Sequence, residues 1–346
     1  MTDFTPVTHL AHGPLAHADL AAQRRRMLRA GLTTIAALSL GHRVHAARDG
    51  TLRILCSGPA GSIPDLVARA IGDQLPAALG LRALVDNRPG AAGQLSVGAL
   101  KSAPADGSTL LLAQGAIATV YPFLYARLGY DAAVDLQPVS LAGEMSLGLA
   151  VGPAVPAEVA TLADFIAWMR AHPAAANIGS PGTGTLPHLL EAMLFHETGC
   201  TWQHIAYPGG PPALTQLLGG QIAALVLPEG LLRQHHAGQR VRVLATSGAA
   251  RSAYLPEVPS FVEQGHPQLV VKEWFAFFAP GGTSKDTIAR LSAALQEAIA
   301  GPAVLAAFAQ AGMTPASSSP PSLAARIATE QRLWQPILRA YGIRAD

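Results

Sequence analysis

Charge, sulfur and aromatic rings are all scarce in this chain of 346 residues. Charged residues make up 13% and aromatic residues 5%, and there are two cysteines. The net charge of +2 comes from the start of the chain: residues 1–46 hold five arginines and two aspartates, so the rest carries about −1. That balance leaves no basic surface for nucleic acid. Cys56 and Cys200 lack the spacing of a metal site and fall in different predicted halves, so they are expected to stay unpaired.

Several motifs of chemistry are missing too. No GxxxxGK[ST] loop is present, and Gly182-Thr183-Gly184 lacks the third glycine of a dinucleotide fingerprint because residue 187 is Pro187. Ser180 is not in a GxSxG elbow, since residue 178 is Ile178. His188, Glu191 and His196 do not form an HExxH set, and His235 and His236 point to different faces of any helix. No cofactor or metal is expected.

What is abundant is apolar and turn-forming. Half the residues are hydrophobic, with 34 glycines and 27 prolines, which suits an alanine-rich α/β protein with many turns. The length allows two domains, each with a sizeable core. Residues 1–46 read as an export signal. Arg24-Arg25-Arg26-Met27-Leu28-Arg29 precedes an apolar stretch of about ten residues and the small-x-small site Val44-His45-Ala46. The stretch is too short to span a membrane. Its arginines resemble the twin-arginine signal, which predicts a periplasmic mature chain starting near Ala47.

The mature chain is organised around residues 52–69. They read as a buried strand, a Gly/Pro turn, then a helix opening near Ile63. Ser62 and Asp65 have capping-box spacing, and Pro64 suits a first helical turn. Residues 177–188 repeat the arrangement. Gly61-Ser62-Ile63-Pro64-Asp65 and Gly184-Thr185-Leu186-Pro187-His188 share one pattern: Gly, hydroxyl, branched aliphatic, Pro, polar. Free amides and the helix dipole make such a turn an anion cradle. Two readings stand: a pair of ordinary capped helices, or two lobes facing one ligand.

Elsewhere strands and helices alternate, which predicts a parallel sheet covered on both faces. Ligands sit beyond the carboxyl ends of such strands, where Ser57, Gly58 and Gln114 fall. Residues 139–141 and 147–151 are two apolar pieces; 147–152 and the aromatic run at 270–279 read as the two crossings between lobes, which makes a hinged clamshell. Asp65 reads as a cap or as an acceptor for a ligand. His188 holds the same place in the second cradle, where a helix start favours neutral imidazole. Glu229, at a strand end, is the other charged candidate.

Taken together these segments resemble the Bug family, the periplasmic substrate-binding proteins of tripartite tricarboxylate transporters. Val85-Asp86-Asn87-Arg88-Pro89-Gly90-Ala91-Ala92-Gly93 is similar to the family's ENRPGAGG segment, and residues 103–112 to its APDGYTLL step. Residues 178–188, Tyr207-Pro208-Gly209-Gly210, 212–221, 255–259 and 274–280 follow in family order. The resemblance implies a type II periplasmic-binding-protein fold, two α/β lobes joined by two crossing strands. Lobe one would be 48–148 plus 276–346, and lobe two 149–275.

It further implies a small organic acid or amino-acid-like ligand, delivery to a membrane permease or a sensor, and a monomer. By position the contacts would be Ser57, Gly58, Gly61, Ser62, Asp65 and Gln114 from lobe one. Ser180, Thr183, Gly184, Thr185 and His188 would come from lobe two, with Tyr207 and Glu229 at the rim. The first loop departs from the family pattern in lacking its aromatic residue and second glycine. Gly210 stands where a lysine is frequent, and Pro228-Glu229 replaces an Asp/Asn-type end. These changes point to a more polar or amine-bearing ligand. The competing reading is a hydrolase on the same fold, using Cys56 or Ser180 with His188.

Overall fold

The computed structural model describes residues 50–345, so the predicted export signal lies outside the described residues. Strand β1 (Thr51–Cys56) is followed by helix α1 (Ile63–Gly72), β2 (Arg82–Asn87), α2 (Gln94–Lys101) and β3 (Thr109–Gln114). β1 pairs in parallel with both β2 and β3. The long β4 (Leu136–Val151) comes next, then α3 (Leu162–Ala171), β5 (Asn177–Ser180), α4 (Leu186–Thr198) and β6 (Gln203–Ala206). After them run α5 (Gly210–Leu218), β7 (Ala224–Pro228), α6 (Glu229–Ala237) and β8 (Arg242–Thr246). β9 (Lys272–Pro280), α7 (Lys285–Ala300), α8 (Pro302–Gln310), β10 (Thr314–Pro315) and α9 (Pro320–Ala340) close the chain.

Local sequence accounts for many of these boundaries. α3 starts at a capping box in which Thr161 and Asp164 satisfy each other's amides, and its Leu162, Phe165, Ile166 and Met169 are buried at helical spacing. Ser284 caps α7 by accepting from the Thr287 amide. Short helices at Leu75–Leu79, Ala116–Thr119, Tyr121–Leu124 and Ala132–Asp135 have too few turns to show a period in the sequence.

The strand order is β2-β1-β3-β9-β4-β7-β5-β6, with β8 and β10 also paired to β4. Two parallel triplets, β2-β1-β3 and β7-β5-β6, therefore flank a central antiparallel pair. The sequence suggested two separate apolar pieces within β4; the structure makes them one strand of 16 residues. From Leu136 to Ser146 it pairs with β9, and from Leu147 to Val151 with β7 and β8. Register shifts near Pro138, Leu141 and Leu149 let it bend as it changes partners. The chain returns at the start of β9, where Lys272 pairs with Ser146.

The aromatic run of β9 shows how the central pair is covered. Trp274, Ala276 and Phe278 enter one hydrophobic cluster, while Phe275, Phe277 and Ala279 enter another. Alternate residues of a strand face opposite sides, so a continuous apolar run is what a strand buried on both faces requires. Both cysteines are buried and free, as expected.

Candidate ligand-binding cleft

The loops after β1, β2 and β3 are stitched together by side chains. Ser57 Oγ donates to Gln114 Oε1 at 2.8 Å, and Gln114 Nε2 donates to the Ala92 carbonyl at 2.6 Å. Tyr121 donates to the same carbonyl at 2.8 Å. From the other half, Thr183 offers its carbonyl to the Tyr125 hydroxyl at 2.8 Å, a bond from the second cradle to the segment after β3. The loops meet closely: a Cβ on Gly209 would lie 2.6 Å from Pro59.

Between these loops is a cavity of about 80 Å³, several times the roughly 10–15 Å³ that one water needs. Ser57, Gly58, Ser62, Gln114 and Thr185 all line it, drawn from both halves. Seven wall residues are prolines, at 59, 64, 89, 181, 187, 208 and 228, which fix the loops' backbone angles and carry no N–H. Five N-caps lie in the wall: Ser62 of α1, Gly93 of α2, Thr185 of α4, Gly209 of α5 and Pro228 of α6. Five helix starts thus border one space, each with the positive end of its dipole. No described Lys, Arg or His is in the wall.

The remaining candidates stand behind the wall or away from it. The expected capping box at α1 is absent. The Ser62 amide and hydroxyl both turn back to the Pro59 carbonyl, so Asp65 Oδ2 takes the Gly61 amide at 2.9 Å instead. Asp65 Oδ1 accepts from Arg69 and Asn87. Burial pushes the Asp65 carboxyl up, but Arg69, the Gly61 amide and Asn87 together hold it below its ordinary value. Gly61 itself faces a second surface cavity beside Leu66.

In the other cradle the Gly184 amide donates to His188 Nδ1 at 3.0 Å. Burial, followed by the neighbouring His204, lowers His188 to about 3 and keeps it neutral. The two rings stack with centroids 3.9 Å apart. Ser180 is wholly buried and bonds His204 Nε2 at 2.8 Å, so it is not paired with His188. Burial also pushes the Cys56 thiol up to about 12, away from any thiolate. Neither nucleophile of the hydrolase reading is therefore paired with His188 or poised to react.

Tyr207 packs against the cluster of Leu225 and Leu227, outside the wall. Glu229 is a correction as well. It opens α6 facing away from the cleft and lines a separate cavity with Ser146, Ser252 and Lys272. There Oε1 accepts from Ser252, and burial raises the carboxyl to about 7. The charged wall residue that sequence reasoning missed is Glu273, on β9 two residues before Phe275, which also lines the cleft. Its only signal was a carboxylate at the head of an aromatic strand.

This architecture, with parallel triplets either side of a shared antiparallel pair and a cleft between their loops, defines a type II periplasmic binding protein. The fold matches the structure of the periplasmic binding protein BugD, with a TM-score of 0.81 over 86% of this chain and 99% of that one, at 23% identity. It also matches MatC from Rhodopseudomonas palustris with bound malate, at 0.78 and 24% identity, over 83% of this chain and 98% of that one. In sequence, the protein BugT of Bordetella pertussis (strain Tohama I) is 33% identical over 294 residues, 85% of this chain and 90% of that protein. The model of the tripartite tricarboxylate transporter family receptor matches residues 67–343. The chain belongs to that family, the Bug solute receptors.

Proposed function

We propose that this protein captures a small carboxylate between its two lobes in the periplasm and hands it to a membrane permease. The observation that carries this reading is the meeting of five helix starts on one cleft that has no cation in its wall. Each start contributes about half a positive charge. Partial charges hold an anion without a fixed counter-ion, which suits a carrier that must also release it. The malate in the MatC structure and the adipate in that of Rpa4515 from R. palustris agree with this ligand class.

Ser57, Gly58, Ser62, Gln114 and Thr185 touch the ligand in this reading, while Asp65 and His188 shape the loops that present the amides. The lobes, 48–148 plus 276–346 and 149–275, rock about β4 and β9 to admit it. The arginine-rich N-terminus sends the chain through the twin-arginine route, and the mature protein works as a monomer.

Melting the ligand-free protein with a panel of mono- and dicarboxylates and their uncharged amides tests the reading. A bound acid at 100 times its dissociation constant should stabilise the fold by about 2.7 kcal/mol, or roughly 4 °C at this size. Amides that match their acids would sink the anion assignment.

A further inference from the structure

Among the described residues Glu273 is the one ionisable side chain in the wall of the cleft. It is 3% exposed, and its Oε1 has no hydrogen-bond partner. Glu273 and Phe275 project from the same face of β9, and that face opens on the cavity. Among the described residues no cation offsets the carboxyl. Arg326 lies over the Trp274 ring and is bound to Glu144 and Glu330, while the Lys272 ammonium approaches Glu144. The other titratable groups acting with Glu273 are Glu330, a like charge, and the buried Tyr121. Burial raises the Glu273 carboxyl to about 8 against the Trp274 amide, which lowers it, and Glu330 adds a lesser push upward.

The polar side chains of the wall have spent their hydrogens elsewhere. Ser57 donates to Gln114, Ser62 to the Pro59 carbonyl, Thr185 to the Gly182 carbonyl, and the Gln114 amide to Ala92. What they turn to the cavity is lone pairs. What the helix starts add is the positive end of their dipoles, which suits an anion. The cleft therefore has two unlike needs: a negative group for the helix starts and a partner for the buried Oε1 of Glu273.

We infer, on the reading that the cleft holds a carboxylate, that its ligand also carries a hydrogen-bond donor, an ammonium or a hydroxyl, and that Glu273 receives it. Glu273 is then the residue that separates hydroxy and amino acids from plain diacids of the same length. A site built to pair a polar group rejects the analogue that lacks it, because its own group is left buried and unpaired.

Titration calorimetry on the ligand-free protein tests this in two frames: succinate against malate and aspartate, and adipate against 2-aminoadipate. In the frame that binds, the donor-bearing acid should be at least about tenfold tighter. Glu273→Met should bring that ratio near one while leaving the plain diacid almost unchanged. Glu273→Gln keeps the neutral acceptor that a carboxyl raised to about 8 presents at neutral pH, so it should retain a preference for malate; it cannot give up a proton to pair with an ammonium, so it should lose the preference for aspartate or 2-aminoadipate. Glu273→Met without ligand should also melt higher, since it removes an unpaired buried carboxyl. A plain diacid that binds as tightly as its donor-bearing partner overturns the inference, as does a ratio that survives Glu273→Met. A lower melting temperature in that variant assigns Glu273 a structural role and overturns it too. If uncharged amides bind as well as the acids, the carboxylate reading itself falls; if diacids bind without preference, only the role of Glu273 falls.

Discussion

The loop entering α1 and the loop entering α4 reach one geometry with different chemistry. Gly61 and Gly184 take φ of +77° and +81°. Ser62 and Thr185 are both extended N-caps whose amide and hydroxyl turn back to a carbonyl three residues earlier, Pro59 or Gly182. Four residues after each glycine a side chain accepts its amide: Asp65 in the first loop, His188 in the second. Asp65 is a charged acceptor fed by the half-exposed Arg69, whereas His188 is a neutral ring packed against His204. The backbone path follows from the five-residue pattern, and the charge on the acceptor follows from what packs behind it.

The largest difference between the loops should appear when the acceptor is removed. His188→Ala empties a buried ring site and strands the Gly184 amide, a loss of about 3–4 kcal/mol in denaturant unfolding. Asp65→Ala leaves a shallower gap and should cost about half as much. Equal losses would mean that the second loop draws nothing from the stacked rings.

Acid should separate the loops next. His188, lowered to about 3, and His204, lowered to about 4, bind fewer protons folded than unfolded between those values and 6.5. Their contribution is full above pH 6.5 and is lost as pH falls towards 3, at up to about 1.4 kcal/mol per pH unit for each group. Asp65 is lowered from 3.8, so its share is lost only below ordinary carboxylate pH. Stability measured from pH 6.5 to 5 should fall less steeply in His188→Leu than in the parent. Asp65→Asn should leave that slope unchanged.

The glycines differ by less. Alanine at either site meets a left-handed strain of about 1–2 kcal/mol. At Gly184 the new Cβ would also lie 2.2 Å from Leu124 Cδ2, while at Gly61 it meets nothing within 4 Å. Gly184→Ala should therefore cost about 1 kcal/mol more. The smallest effect is Asp65→Asn, at about 1 kcal/mol or less, because an acceptor for the Gly61 amide remains and the Arg69 pair faces water.

Local pattern made much of the chain readable. The sequence predicts a helix over 94–101, a strand over 242–246 and a Ser284-capped helix over 285–300, and α2, β8 and α7 have those bounds. Ser57 and Gln114 both line the cleft because strand ends in a parallel sheet converge. β4 was read as two pieces because Gly143 and Glu144 interrupt its apolar run just where β10 pairs with it. Glu229 was taken for a cleft residue because a strand end looks alike from sequence whichever way its side chain faces. Glu273 was passed over because a carboxylate on a strand ordinarily faces water.

The sequence by itself determined where the turns fall, which helix starts carry hydroxyls, and which runs must be buried, because backbone angles and hydrophobic period are local properties. Only the tertiary structure decided that five helix starts share one space, that Asp65 and His188 serve loops from behind, and that an unpaired carboxyl looks into the cleft. Those depend on which side of a strand meets which loop, and long-range packing alone sets that.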